Sequence, residues 1–395
     1  MKTTNYQSFQ FLEEGTDYRR FVLAPQRNRV PSRVIPTSPV EEERMRTIMQ
    51  RNLMISLHDH PTVLPLNLEE LPDLIRQGRD FTGYEGLQTS GLHVVFDNML
   101  DGTSMITSQS GWKWDDILYD LGMRLCDLYH QESLRVVYGI EDIHAAKESG
   151  QIGIVLSLEA ATPIENELDR LDVLYGFGVR CMGLVYSEAN ALGAGLKETR
   201  DGGLTKLGRQ AVRRMNQLGI AIDVSHTGDQ TALDAIECSD QPIFITHAGA
   251  RALWNTPRMK PDDVIRACAE KGGVFGVEAA PHTTLTARHK QHSIESYMEH
   301  FEYIASLVGL DHVAFGPDTL FGDHAGLHHV FARNMSIESA QDGPCFEPVP
   351  YVDGIESPED FPNIVRWLVT HGYDDSAIAQ VMGGNVMKVL DSVWR

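Results

Sequence analysis

Short apolar runs alternate with longer segments of helical spacing along most of the chain. Eight runs have the length and composition of buried strands, and they cover residues 52–57, 92–96, 152–158, 179–185, 219–224, 242–245, 273–277 and 312–315. The clearest helical segments between them cover residues 114–129, 165–175, 206–218, 262–271 and 295–307. Strands that are apolar on both faces and alternate with helices indicate a parallel sheet covered by helices.

Eight such units predict an α/β fold, a closed (β/α)8 TIM-like barrel, over residues 51–395. Residues 1–50 lack a sustained period and are rich in proline, so we expect an N-terminal arm packed on the barrel. Three C-terminal helices are expected at residues 362–370, 376–382 and 385–393. The alternative is a doubly wound open sheet, but its usual glycine-rich phosphate loop is replaced after the first strand by His-Asp-His-Pro.

Six of the apolar runs are followed directly by residues that can bind a metal ion or transfer a proton. These residues are His58 and His60, Glu159, Tyr186, His226, His247 and Asp318. In a parallel barrel every strand ends at the same face, so side chains just beyond the strand ends converge on one pocket. The pattern therefore predicts an active site at that face.

The residue types in this pattern are those of a metal site. Side chains two positions apart on an extended segment share a face, so His58 and His60 can reach one ion. His226 and His247 end consecutive strands and offer imidazole, the commonest protein ligand for a metal. Glu159 follows a run in which an unpaired carboxylate is costly to bury, so we expect it either to bridge two cations or to pair with an arginine.

Composition and charge exclude several classes of function. The chain has 395 residues with 34 Lys and Arg against 55 Asp and Glu, and its formal charge of -21 repels nucleic acid and anionic membrane surfaces. No signal-peptide pattern occurs, and no run of about 18 apolar residues would span a membrane. The 5 cysteines form no CxxC pair, so we expect reduced thiols and a cytoplasmic protein.

The most specific stretches are IDVSH, which ends at His226, the following FITHAGARALWNTPRMKPDDVI, and the closing YVDGIESPEDFPNIVRWLVTHGYDDSAIAQVMGGNVMKVL. Through them, and from Leu53 to the C-terminus, the chain resembles the membrane (renal) dipeptidase family of zinc peptidases in the amidohydrolase superfamily. The spacing of 21 residues from His226 to His247, and of 11 from His247 to Arg258, also fits that family.

The resemblance implies a role for each matching residue. Asp318 would act as general acid and base, and Arg258 would bind a substrate carboxylate through two parallel hydrogen bonds. A homodimer is implied as well. Two zinc ions are expected, with a single ion or manganese as the alternatives. The ligands implied for them, with the glutamate shared, are His58, Glu159, His226 and His247.

Two positions depart from the family pattern. His60 stands where family members usually have an aspartate, so the site exchanges an anionic ligand for a neutral one. We expect lower metal affinity, a more acidic bridging water, and an Asp318 that moves closer to serve as a ligand. Tyr186 stands where the family commonly has a histidine that polarises the substrate carbonyl. Its phenol can donate one hydrogen bond to an oxyanion or form a wall of the pocket.

The expected function is hydrolysis of a small amide, with a dipeptide bearing a free carboxylate as the leading substrate and a hydroxide bridging two zinc ions as the nucleophile. One alternative keeps this machinery and changes the substrate to an N-acyl amino acid, a lactam or a lactone. A second is a catalytically inactive metal-binding relative. The irregular stretch 319–350 contains His324, His328 and His329, which we expect to be lid or solvated residues rather than ligands.

Overall fold

A single parallel sheet forms the centre of the computed structural model, which describes residues 7–30, 33–77, 79–99, 113–281, 283–327 and 352–394. Within these ranges the sheet has nine strands: β1 (Ile55–Asp59), β2 (Val94–Met99), β3 (Leu134–Val136), β4 (Ile152–Leu158), β5 (Val179–Gly183), β6 (Ala221–Asp223), β7 (Phe244–Ala248), β8 (Val274–Val277) and β9 (Val313–Phe315). All eight predicted strands are present.

Eight of the strands form a nearly closed barrel, which confirms the predicted fold class. Neighbours pair in the order β1-β2-β4-β5-β6-β7-β8-β9, and every ladder is parallel. At the carboxyl ends of β1 and β9, His60 N donates to Thr319 O and Asp318 N donates to His58 O, each at 2.9 Å. The short strand β3 is not among the predicted runs and pairs with the first three residues of β4.

Helices surround this barrel. They are α1 (Pro39–Arg51), α2 (Leu71–Arg76), α3 (Tyr84–Thr89), α4 (Trp114–Tyr129), α5 (Ile140–Ser149), α6 (Asp169–Gly176), α7 (Lys206–Leu218), α8 (Asp229–Cys238), α9 (Asp262–Glu270), α10 (Ile294–Val308), α11 (Pro362–Thr370), α12 (Asp375–Ala379) and α13 (Asn385–Val393). Every predicted helix has a counterpart among them. None of the helices in the described ranges is both long and apolar enough to cross a membrane.

Local sequence explains where α7 begins and ends. The side chain of Thr205 accepts a hydrogen bond from Gly208 N, which satisfies a free donor at the start of the helix. Gly219 ends it with a left-handed φ of 83°, a conformation that glycine adopts without a Cβ clash. Between these caps, buried Val212 and Met215 lie on one face and pack the helix on the sheet.

The N-terminal region contains a helix, α1, that the lack of a sustained period does not predict. Ser38 and Glu41 form a reciprocal capping box at its start. On its flank Glu42 pairs with Arg366 of α11 through Nε and Nη2, both at 3.0 Å. The capping signal lies in the sequence, but the preceding prolines obscure the short amphipathic pattern that follows.

The interior of the barrel is filled with side chains below the strand ends. Phe96 and Phe244, from opposite sides of the barrel, have ring centroids 6.4 Å apart. Leu390 of α13 belongs to the same apolar cluster. Asn385, at the start of α13, donates to Val313 O at 2.8 Å, at the beginning of β9. The last helix therefore closes the amino end of the barrel, and the carboxyl end is left for chemistry.

Irregular register shapes the carboxyl end of two strands. The pairing of β1 with β2 shifts between Ser56 and Asp59, and the pairing of β7 with β8 shifts between Ile245 and Ala248. Such bulges reorient the side chains they contain and are common beside active sites. His58 lies within the first shift, and His247 lies within the second.

Close backbone contact at Gly183 fixes the end of β4. A Cβ on Gly183 would lie 1.9 Å from Glu159 O and 2.7 Å from Glu159 C. Both are backbone atoms, so they cannot rotate away as a flexible side chain can. The glycine therefore lets β5 approach the residue that ends β4.

We expect Gly183→Ala to destabilise the fold by about 1–3 kcal/mol, because the added methyl group must displace the backbone of Glu159. Gly122→Ala is the matched control, since Gly122 is exposed within α4 and its Cβ would meet nothing within 4 Å. That change should instead stabilise the helix by about 0.5–1 kcal/mol. Urea denaturation of both variants measures the difference, and equal effects would contradict the close-contact argument.

Candidate active site

The residues predicted from the strand ends converge on one buried centre. The nitrogen and carboxylate donors there come from His58, His60, Glu159, His226, His247 and Asp318. They form three overlapping groups of three residues, and within each group the donor atoms lie within 4.8 Å of one another. All six residues are buried.

The first half of the centre is built from β1 and the segment after β9. His58 Nε2 and His60 Nε2 are 3.3 Å apart, as expected for side chains two positions apart on one face. Asp318 Oδ1 lies 3.1 Å from His60 Nε2 and 3.5 Å from His58 Nε2. Asp318 is thus close enough to the histidine pair to share an ion with it.

The second half is built from the segment after β6 and the end of β7. His226 Nε2 and His247 Nε2 are 3.0 Å apart. Glu159 Oε1 lies 2.8 Å from the former and 3.2 Å from the latter. The same carboxylate reaches the first half, because its Oε2 is 3.9 Å from His60 Nε2. Glu159 therefore stands between the two halves.

Burial keeps the imidazoles in the form that binds metals. Desolvation lowers the pKa of His58 to about 4, and it lowers the pKa values of His226 and His247 well below their usual range. A neutral imidazole offers a lone pair to a cation. Three such rings, together with His60 and two carboxylates at these distances, could hold a metal ion.

Asp318 occupies a strained turn just beyond β9. Its φ of 58° lies in the left-handed region, which is uncommon for residues other than glycine. The turn is held by Asp59, whose Oδ1 accepts hydrogen bonds from Thr319 N at 2.8 Å and Thr319 Oγ1 at 2.7 Å. Burial alone would raise the pKa of Asp318, but hydrogen bonds with His58 and His60 hold it well below its usual range, so the carboxylate is ionised at neutral pH.

A buried hydrogen-bond network joins the ends of β6 and β7. Asp223 Oδ1 accepts from Ser225 N at 3.0 Å and from Thr246 N at 2.9 Å. Ser225 Oγ in turn accepts from His247 N at 3.1 Å, and Thr246 Oγ1 lies 2.8 Å from His247 Nδ1. Partners on Nδ1 orient the ring so that Nε2 faces the centre. The Asp and Ser of the IDVSH motif thus position a neighbouring ligand.

Tyr186 and Arg258 flank the donors. The Tyr186 ring stacks on His226 with centroids 4.2 Å apart and an interplanar angle of 18°. Arg258 Nη1 donates to Ser225 O at 3.4 Å, and Arg258 Nη2 forms a short ion pair with Glu278 Oε2. Burial alone would lower the pKa of Arg258, but the charge of Glu278 raises it, so the guanidinium stays protonated.

Two acidic residues that directly follow predicted apolar runs were not among the predicted site residues. Glu278 directly follows β8, and Asp97 lies in β2, where its Oδ2 is 3.3 Å from Arg124 Nε. Applying the same strand-end argument to the second and seventh apolar runs would have found both. Of the loop histidines, His324 is buried, and His328 and His329 lie outside the described residues.

Lys260 lies beneath this part of the site and is fully buried. Its Nζ donates to Thr227 O at 2.7 Å, next to His226. Burial, followed by the nearby charge of Arg258, lowers the pKa of Lys260 to about 7. Lys260 lies in the loop after β7, so this hydrogen bond links that loop to the segment after β6.

Comparison with known proteins agrees with this geometry. The family model described as "Membrane dipeptidase (Peptidase family M19)" matches residues 117–333, more than half of the chain. The chain belongs to the membrane dipeptidase family. The matched segment contains Glu159, His226, His247 and Asp318, whereas His58 precedes it. Membership confirms the predicted family and a metal-dependent hydrolytic enzyme of the dipeptidase class.

Individual relatives are distant. The chain is 27% identical over 271 residues to the "Uncharacterized protein in pqqA 5'region" of Klebsiella pneumoniae, an alignment that covers 66% of this chain and 90% of that protein. It is 24% identical to "Dipeptidase tcpJ" of Claviceps purpurea over 69% of this chain, and it spans only 58% of that fungal protein. A crystal structure of an amidohydrolase from Pseudomonas aeruginosa is similar with a TM-score of 0.72 and 25% identity, covering 89% of this chain and 99% of that one.

We expect Lys260→Met to stabilise the protein more at about pH 6.5 than at about pH 9.5, because of the lowered lysine pKa. Between the folded pKa of about 7 and the ordinary value of 10.5, the unfolded chain binds more protons than the folded chain, so wild-type stability rises with pH. Methionine has no such dependence. Urea denaturation at both pH values measures the change, with Lys388→Met as an exposed control. Parallel pH dependences for wild type and Lys260→Met would contradict the prediction.

Proposed function

We propose that this family member is a zinc-dependent dipeptidase that hydrolyses a small amide bond at the carboxyl end of the barrel. The observation that carries the proposal is the convergence of four buried imidazoles on two buried carboxylates, with an arginine at the same face. Structural elements bonded to one another hold these groups, so the arrangement is organised before substrate binds. A cytoplasmic homodimer stays a prediction from the sequence.

Two divalent cations fit the donor set in a specific division. His58, His60 and Asp318 would hold one ion, while His226 and His247 would hold the other and Glu159 would bridge them. Asp318 thereby replaces the anionic charge that His60 does not supply, since its Oδ1 lies 3.1 Å from that ring. When bound, the cations would make water a nucleophile at neutral pH and polarise the scissile carbonyl.

Asp318 is the group best placed to move the proton. Its carboxylate is ionised at neutral pH and has a second oxygen besides the one that faces His60. It can therefore accept a proton from the attacking water and deliver it to the leaving amine. The left-handed turn fixed by Asp59 holds this carboxylate at the centre rather than in solvent.

Arg258 and Tyr186 are proposed to bind substrate. Arg258 is 16% exposed at its side chain, and its contacts with Ser225 and Glu278 use only part of its five N–H donors, so it can bind a substrate carboxylate at one end of the site. The hydroxyl of Tyr186 can donate to the oxyanion that forms at the scissile carbonyl. Its stacking on His226 also makes the ring a wall of the pocket, so both functions fit the same position.

A second candidate keeps the reaction and changes the substrate to an N-acyl amino acid, a lactam or a lactone. The ion pair between Arg258 and Glu278 favours considering it, because an arginine that is already paired selects less strongly for a free carboxylate. An inactive metal-binding relative is a weaker candidate. A protein that has lost catalysis has no reason to retain both the full donor set and the strained Asp318.

A panel of L,L and L,D dipeptides tested beside N-acyl amino acids should show hydrolysis of at least one dipeptide when zinc or manganese is supplied. Chelation should abolish turnover and metal should restore it, because no Ser or Cys nucleophile is required. Metal analysis should find two ions per chain. Failure to hydrolyse any dipeptide would defeat the dipeptidase assignment, and one tightly bound ion would defeat the two-metal division.

We expect Tyr186→Phe to lower kcat by about 10–100-fold with little change in KM if the hydroxyl stabilises the oxyanion, because that bond is made mainly in the transition state. The phenyl ring preserves the stacking on His226, so the pocket wall is unchanged. Steady-state kinetics on the best dipeptide measure the effect. Unchanged kcat would leave Tyr186 with the wall function alone.

A further inference from the structure

The strongest unassigned feature of the site is the carboxylate of Glu278. It is fully buried, and it pairs with Nη2 of Arg258. Its backbone is fixed on both sides, because Glu278 N donates to Ala248 O at 3.0 Å and Thr284 Oγ1 donates to Glu278 O at 2.8 Å. The backbone of Glu278 is therefore fixed at the end of β8, where the carboxylate pairs with the guanidinium.

The side chain of Arg258 lies across the end of β7 and contacts residues beyond both neighbouring strands, β6 and β8. One nitrogen, Nη1, points to Ser225 O beyond β6, while Nη2 meets Glu278 beyond β8. A guanidinium has five N–H donors in a planar fork, so these two contacts leave donors for a ligand. A ligand would therefore bind to an arginine whose positive charge is already compensated by Glu278.

This balance changes what the arginine selects. A substrate carboxylate bound to Arg258 would bring a second negative charge within about 5 Å of Glu278, and repulsion at that distance in a partly buried site is worth about tenfold or more in affinity. The neutral carbonyl of an amide or ester accepts the same hydrogen bonds without that repulsion. The repulsion from Glu278 therefore lowers the affinity for substrates that end in a free carboxylate.

We propose that Glu278 determines specificity: by neutralising Arg258 it weakens selection for a free carboxylate and admits substrates whose corresponding end is a neutral amide or ester. The inference rests on the proposed amide hydrolysis at this site and names its substrate class more closely. It assigns Glu278 no contact with the reacting atoms.

The test compares a dipeptide with its C-terminal amide. The ratio of kcat/KM for acid over amide is measured for wild type and Glu278→Gln at about pH 8.5, above the pKa of about 7 to which burial raises Glu278. In wild type the acid should be preferred by no more than about tenfold. In Glu278→Gln the ratio should rise at least about tenfold, mainly through KM, since the arginine charge is then uncompensated.

Two further variants isolate the effect. The double variant Arg258→Met, Glu278→Gln should not show the increased acid-to-amide ratio, because that increase depends on the guanidinium of Arg258. Asp229→Asn is the matched control: Asp229 Oδ1 pairs with Arg251 Nη2 at 2.8 Å, at the start of the same loop after β7. Removing that carboxylate should leave the acid-to-amide ratio unchanged.

An unchanged ratio in Glu278→Gln, or a shift toward the amide, would overturn the proposal, because it would mean that Glu278 only holds Arg258 in place. A wild-type preference for the acid of about a hundredfold would overturn it without any variant. Dissociation constants for phosphinate dipeptide analogues ending in carboxylate or carboxamide, measured by calorimetry, decide the point even if no dipeptide is hydrolysed. That failure of turnover would count against the proposed function alone.

Discussion

The burial of two carboxylates among four imidazoles is the constraint on which the rest of the molecule depends. Glu159 and Asp318 are both nearly inaccessible to water, and desolvated charges are costly unless they are compensated. Burial lowers the pKa values of His58, His226 and His247, so these three rings are neutral at physiological pH and add no positive charge. Arg258 is paired with Glu278. A cation bound at the centre would compensate the two carboxylates, so the donor arrangement fits a metal site.

The scaffold maintains this unfavourable cluster through bonds that lie just outside it. Asp223 joins the ends of β6 and β7, and Asp59 joins the segments beyond β1 and β9. Gly183 lets β5 pack directly against the backbone of Glu159, and this contact keeps Glu159 from moving away from the centre. Because of these contacts, the donor side chains of the centre have little freedom to move apart and become solvated. The strain at Asp318 persists because its own N–H and the following Thr319 are bonded to β1, while the preceding Pro317 O accepts from Ala279 N beyond β8.

Periodicity predicted the barrel and the convergence of the site, because both follow from where apolar runs end. It could not predict the register shifts that contain His58 and His247, since a bulge depends on pairing between strands and leaves no mark in one strand's own sequence. Glu278 directly follows an apolar run, so its place at the site is readable from the sequence, but its pairing with Arg258 depends on how the loop after β7 folds and leaves no mark in the sequence. The short β3 lacks the length to show a period at all.

One end of the site therefore determines the reaction, and the other end determines which substrates are accepted. At one end, Glu159 and the histidine pairs define the chemistry, because imidazole nitrogens around a buried carboxylate can hold a metal ion for hydrolysis. At the other end, Arg258 and Glu278 form a pair whose net charge is close to zero, and discrimination between substrates depends on that sum rather than on the arginine alone. Two proteins with the same metal ligands and the same arginine can thus cleave different amides if only one of them carries the acid after β8.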